Sequence, residues 1–169
     1  NKKLSVCPIT THIKVKDINK KIKKSLIITK ISSISKNFRL IFKKKPKIGL
    51  LGLNPHNAEM ESGSEEKKII LPSIKNLKRK GIKIDGPLVS DTVFISEYKK
   101  YDVIVGIYHD QVLSPFKTIF KFDAINITLG LNYLRVSPDH GTAKDLIGKN
   151  AANFSSLLKC IQFLDKFSL

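Results

Sequence analysis

The chain has 169 residues, enough for one domain with a real core, or one and a part. Apolar residues make up 41% of it, with no stretch of about 18 in a row, so no segment reads as a membrane span, and no signal-peptide pattern opens it. The net charge of +17 raises a nucleic-acid-binding face, but the lysines are spread along the chain without an aromatic-rich basic segment. Lys, Ile, Asn and Ser are heavily used, Trp is absent, and Arg39, Arg79 and Arg135 are the only arginines. That is the pattern of A- and T-rich coding sequence, so nucleic acid is not the expected partner.

The elements follow in chain order. The opening Asn1-Lys2-Lys3, without an initiator Met, reads as a chain that has lost its beginning. Leu4 to Thr10 reads as a strand ending in a polar turn at Thr11-His12. Asn19 to Phe42 reads as one helix, with Ile27, Ile31, Ile34, Phe38 and Ile41 on one face. Lys43 to Pro46 breaks it, and Lys47 to Leu53 is a short apolar strand of the kind buried on both faces of a parallel sheet. After a polar loop from Asn54, a helix starts with Ser64 as cap and Glu65 and Glu66 in its first turn. It runs past a kink at Pro72 to a stop at Gly81. Ile84 to Val89 and Tyr101 to Tyr108 are further strands, the latter ending at His109-Asp110-Gln111. Short strands are expected at Ile125 to Leu131 and Tyr133 to Val136, then a loop from Ser137 to Thr142. An amphipathic helix marked by Phe154, Leu157, Leu158, Ile161 and Leu164 closes the chain. Strands alternating with helices predict an α/β fold with a largely parallel sheet. Cys7 and Cys160 stand far apart in no metal-like spacing and read as reduced thiols of a cytoplasmic protein.

The histidines carry the chemistry. There are four, and His12, His56 and His109 each sit just past the C-terminal end of a predicted parallel strand. Taken singly, each is simply a loop histidine. Taken together, they converge on one rim of an α/β sheet, where ligands bind. Three imidazoles there form a shell for zinc, cobalt, manganese or iron, with positions left open for substrate. Such a metal lowers the pKa of a substrate hydroxyl and holds a developing enolate oxygen.

Five motifs stand out along the chain: Gly52-Leu53-Asn54-Pro55-His56 with Glu59 and Glu65-Glu66 beyond, Gly86 to Phe94, Tyr108-His109-Asp110-Gln111 with Pro115-Phe116-Lys117, Asn126 to Leu131, and Arg135 to Ala143. In order and nearly in spacing, they resemble the 4-hydroxythreonine-4-phosphate dehydrogenase family. The resemblance runs from about Ser5 to Ser156. It implies a three-layer α/β/α fold with a largely parallel sheet, isocitrate/isopropylmalate dehydrogenase-like and incomplete at the N-terminus, because the family's chain is considerably longer. Residues 1–118 would be most of a metal-binding domain, and 119–169 a return into a second, NAD-binding domain. His12, His56 and His109 fall on the family's metal-ligand positions, with the site completed across a homodimer interface. Lys117, Asn126 and Arg135 fall on its substrate-binding positions, and their donors suit a substrate carrying phosphate and carboxylate. Asp91 and Asp110 match acidic positions near the metal, where a carboxylate orients a histidine or relays a proton; Asp91 also reads simply as a helix cap. His140, Gly141, Thr142, Ala143 and Asp145 resemble the cofactor loop of the wider β-decarboxylating dehydrogenases.

The activity so implied is NAD- (or NADP-) dependent oxidation and decarboxylation of 4-phosphooxy-L-threonine in vitamin B6 biosynthesis, assisted by zinc, cobalt, manganese or magnesium. The nearest rival is a sister dehydrogenase acting on D-threonate or D-erythronate 4-phosphate. Rivals of other classes are a basic nucleic-acid-binding module and an inactive fragment. The sequence departs from the family where Asn57-Ala58 replaces the usual Ala-Gly and Val112 replaces a common Gly. Both changes restrict loops that need positive φ.

Overall fold

The computed structural model describes residues 1–167. They divide into two compact units, residues 2–116 and residue 117 onward with Asn1.

The first unit is an α/β layer structure on a four-stranded, all-parallel sheet. Its strands are β1 (Ser5–Thr10), β2 (Ile48–Leu51), β3 (Ile84–Leu88) and β4 (Val103–Tyr108), in the order β1-β4-β2-β3. The apolar runs read as buried strands are buried: Ile48, Leu50, Leu51, Ile104, Val105 and Ile107 have no exposed surface. β4 is paired on both sides, to β1 through Ser5↔Val103 and to β2 through Ile48↔Val103.

The helix read from Asn19 to Phe42 is two helices, α1 (Ile18–Lys21) and α2 (Lys24–Phe42). Ile22 and Lys23 turn extended between them, so that Ile22 is buried. Ile27, Ile31 and Ile34 form the buried stripe of α2, and Lys43 ends it in the left-handed conformation. The helix after Ser64 starts with a π-helical turn (Glu66–Ile70) and becomes α3 (Leu71–Arg79) beside Pro72, the change of hydrogen-bond pattern falling where the proline has no N–H to give. Ser64 caps it, its Oγ accepting from the Lys67 N–H at 3.3 Å. Gly81 (φ +75°) closes it, with the Ile82 N–H returning to the Leu77 carbonyl at 3.1 Å. A four-residue turn, α4 (Ser90–Val93), follows β3.

His109 opens a helix that the sequence reading left out, α5 (His109–Phe120). Pro115 in its middle hid it, although Val112 and Phe116 form its buried stripe.

In the second unit, β5 (Ile125–Thr128) and β6 (Arg135–Pro138) pair antiparallel, and both pack on α6 (Ser155–Phe167). The first strand starts at Ile125 as expected but ends at Thr128 rather than Leu131, and the second is displaced by two residues, from Tyr133–Val136 to Arg135–Pro138. Ile125 pairs with Pro138, so Ser137 and Pro138 belong to the ladder rather than to the loop. The buried Ser156 fastens this unit: its hydroxyl donates to the Ala124 carbonyl (2.6 Å) and accepts from the Asp139 N–H (2.9 Å). Lys159 pairs with Asp123.

Gly86 sits hard against the backbone of the neighbouring strand. Its φ is +144°, and a Cβ there would strike the Leu50 carbonyl oxygen in the neighbouring strand. Gly86→Ala should therefore destabilise the protein by about 2 kcal/mol or more, read as a lowered urea midpoint with an unchanged m-value.

Candidate active site

Each of the three strand-following histidines leaves the carboxyl edge of the sheet. Adjacent strands bring two of them together: the His12 and His109 rings lie 5.7 Å apart between centroids, tilted by 45°. Below them the Thr10 hydroxyl donates to the Ile107 carbonyl at 2.8 Å, pinning the ends of β1 and β4. The two rings border a cavity of about 190 Å³ whose walls include Thr10, Ile13, Tyr108 and Asp110. His109 Nδ1 is 2.7 Å from Asp110 Oδ1. A proton on Nδ1 shared with that carboxylate leaves Nε2 with its lone pair free for a ligand.

His56 follows β2, on the other side of β4. Among the described residues, no group of three or more His, Cys, Asp or Glu side chains gathers closely enough to hold a metal. The chain thus presents a histidine pair, with His56 on a separate loop. Asp91 lies exposed in the first turn of α4.

The His56 loop has an unusual backbone. His56, Asn57, Ala58, Glu59 and Met60 are all left-handed, with φ between 45° and 61°. For side chains other than Gly this costs roughly 1–2 kcal/mol per residue, with Asn among the most tolerant. Two polar anchors offset the cost. Asn57 is buried, and its Nδ2 donates to the Pro87 carbonyl at 3.1 Å. Gly52 makes room for it, since a Cβ there would collide with Asn57 Oδ1.

Glu66 is the second anchor, and the sequence reading missed its role by treating it as a first-turn acid. Its carboxylate, fully buried, turns back to the loop: Oε1 accepts from the Leu53 and Asn54 N–H groups, each at 2.7 Å, and Oε2 from Asn54 Nδ2 at 3.0 Å. Burial pushes this carboxyl upward, but the hydrogen bonds from Asn54, Leu53 and its own N–H outweigh burial and hold it below the usual carboxylate range. Gln111, which in sequence is only one member of the His109-Asp110-Gln111 motif, has a structural role of its own. Its side chain accepts from the Ile107 N–H (2.6 Å) and donates to the Gly52 carbonyl (2.6 Å) and the Ser90 hydroxyl (2.8 Å).

The expected substrate residues lie in the second unit. The β5–β6 register, with Asn126 opposite Ser137 and Thr128 opposite Arg135, sets Asn126 and Arg135 on one face of the ribbon. Arg135 Nη1 donates to Thr128 Oγ1 at 2.9 Å. Lys117, near the end of α5, pairs with Asp139 at 3.4 Å. His140, Gly141, Thr142, Ala143 and Asp145 form an exposed loop, with Ala143 left-handed (φ 46°) and Asp145 in a single 3-10 turn.

Residues 1–164 match the family model described as pyridoxal phosphate biosynthetic protein PdxA. The chain belongs to the PdxA family. Among PdxA relatives, it is 48% identical over 163 residues to the 4-hydroxythreonine-4-phosphate dehydrogenase of Sulfurihydrogenibium sp., covering 95% of this chain and 50% of that protein. It is 45% identical to the enzyme of the same name from Aquifex aeolicus, covering 98% of this chain and 52% of that one. The crystal structure of 4-hydroxythreonine-4-phosphate dehydrogenase from Klebsiella pneumoniae superposes with a TM-score of 0.85 at 33% identity, over 100% of this chain and 52% of that one. The chain spans about half the length of the curated relatives it matches. Its fold is that of the PdxA dehydrogenases, a three-layer α/β arrangement of isocitrate/isopropylmalate dehydrogenase type. No helix among the described residues is long and apolar enough to cross a membrane.

Glu66 supplies a prediction with a definite sign. Its carboxyl is held lower in the folded than in the unfolded protein, so its stabilisation is present above the unfolded value of about 4.3 and is lost as pH falls through the lower, folded value. Glu66→Gln places an amide NH₂ against Asn54 Nδ2 and removes the charge from three hydrogen bonds. Stability at pH 7 should fall by about 1–3 kcal/mol, and the loss of stability on acidification should become shallower. Denaturation of both proteins at pH 7 and pH 3.5 measures it.

Proposed function

We propose that the protein containing this chain is a 4-hydroxythreonine-4-phosphate dehydrogenase that oxidises and decarboxylates 4-phosphooxy-L-threonine with NAD (or NADP). The observation that carries the reading is the His12–His109 pair beside Asp110, at the carboxyl edge of a PdxA-family sheet.

The reaction has two bond-breaking stages. The substrate C3 hydroxyl gives its proton to a base, and the C3–H bond delivers hydride to NAD⁺. The 3-keto acid then breaks its C1–C2 bond, releasing carbon dioxide and leaving the electron pair on C2, conjugated with the ketone. Protonation at C2 yields 3-amino-2-oxopropyl phosphate.

The chain's residues divide this work. His12 and His109 offer two imidazoles at one cavity, and their donor chemistry fits a divalent transition metal. His56, from the neighbouring loop or from a second subunit of a homodimer, would complete the set. A bound metal acts as a Lewis acid toward the substrate oxygen. Asp110 holds the His109 ring through Nδ1, and Asp91 and Asp110 are the carboxylates available to relay the hydroxyl proton. Arg135, Lys117 and Asn126 bind the substrate's anionic ends, Arg135 through its planar fork. The exposed loop from His140 to Asp145 offers backbone N–H groups to the cofactor.

The test is NAD reduction by the full-length protein with 4-phosphooxy-L-threonine, beside D-threonate and D-erythronate 4-phosphates. Turnover of the first, with kcat/KM lowered about 100-fold or more in His109→Ala, about 2.7 kcal/mol of transition-state stabilisation, is the expected result. Preferential turnover of a sugar-acid phosphate would reassign the substrate, and no NAD reduction with any of them would end the dehydrogenase reading.

A further inference from the structure

β2 and β4 run in register as far as Leu50↔Val105. Carried two residues on, that register sets Gly52 opposite Ile107. The strands have parted there, and a side chain fills the gap. Gln111 folds back from the first turn of α5, its Oε1 accepting from the Ile107 N–H (2.6 Å) and its Nε2 donating to the Gly52 carbonyl (2.6 Å). The amide stands where a peptide rung would otherwise join the two strands. Its second N–H reaches the Ser90 hydroxyl at 2.8 Å, at the start of α4. All its polar atoms are used. Gly106 admits the fold-back, since a Cβ there would lie 3.1 Å from Gln111 Oε1 and 2.5 Å from Val112 Cγ1.

The three partners belong to three different site segments. Ile107 precedes His109 on β4, Gly52 starts the loop that carries His56, and Ser90 precedes Asp91. We propose that Gln111 is a positioning residue that fixes the His56 loop and the Asp91 turn against the His109 helix. A strand pair that splays needs such a tie: without it the Ile107 N–H and the Gly52 carbonyl lose their partners, and the two loops lose their common reference. The inference rests on the proposed dehydrogenase reading for what is positioned, and on these hydrogen bonds alone for how.

Two measurements on the purified chain separate those parts. Gln111→Leu ends one atom short of the amide oxygen and nitrogen and removes all three side-chain hydrogen bonds. Amide hydrogen exchange should quicken at least tenfold at both residues 52–57 and residues 90–92, with α2 between Ile27 and Ile34 unchanged. Zinc affinity should fall about 10- to 100-fold, the range for loss of a group that orients metal ligands. Ser90→Ala, which removes one of the three bonds, keeps the idea testable if Gln111→Leu does not fold. It should loosen residues 90–92 and leave residues 52–57 protected. Unchanged exchange in both loops of a folded Gln111→Leu protein, or equal zinc affinity in wild type and variant, would overturn the proposal. Wild-type protein that takes up no zinc would instead overturn the metal reading, and exchange would still decide the role of Gln111.

Discussion

Two parallel ladders of hydrogen bonds meet on β4, one from β1 and one from β2. A strand paired on both sides and buried from Val103 to Ile107 cannot slip: a one-residue shift would move its whole apolar set. The fixed register decides where the neighbouring strands end, and so where the segments after them begin. His12 and His109 face each other because β1 and β4 finish together, pinned by Thr10. Beyond Val105 the β2–β4 ladder stops, and the sheet opens at its carboxyl edge as α/β sheets do where they bind ligands.

The edge is held by polar groups rather than by packing. Glu66 is a buried carboxylate with no cationic partner among the described residues, kept charged by backbone and amide N–H groups of the loop it grips. Asn57 fastens the same loop to Pro87. Five consecutive left-handed residues from His56 to Met60 would not persist in a free loop. They persist where the surroundings determine the backbone on both sides. Asn57 and Ala58 carry Cβ atoms at left-handed positions, so the loop leans more on Glu66 and Asn57 than a glycine-rich loop would.

Most of the fold was legible because buried parallel strands announce themselves as short apolar runs, as Ile48 to Leu51 and Val103 to Ile107 do. The placement of His12, His56 and His109 after strands followed from the same runs. What stayed hidden depends on contacts distant in sequence. Nothing local in Gln111 says that it spans from Ile107 to Gly52 and Ser90, and Glu66 next to a helix cap reads as an ordinary first-turn acid. Pro115 masked α5, because a proline there argues against a helix unless its buried stripe, Val112 and Phe116, is given more weight. The break at Ile22 was invisible to periodicity, since a single buried isoleucine fits either side of it. The pairing of Ile125 with Pro138 likewise depends on a partner strand that propensity does not see.

We propose that the carboxyl edge of this sheet, at His12 and His109, is a histidine metal site. Zinc K-edge X-ray absorption of the zinc-loaded protein tests it most directly, because imidazole rings leave a characteristic multiple-scattering signature. At least two imidazole ligands at about 2.0–2.1 Å are expected, reduced in the His12→Ala, His109→Ala double variant. A shell of oxygen ligands alone, or a spectrum identical in the variant, would contradict it.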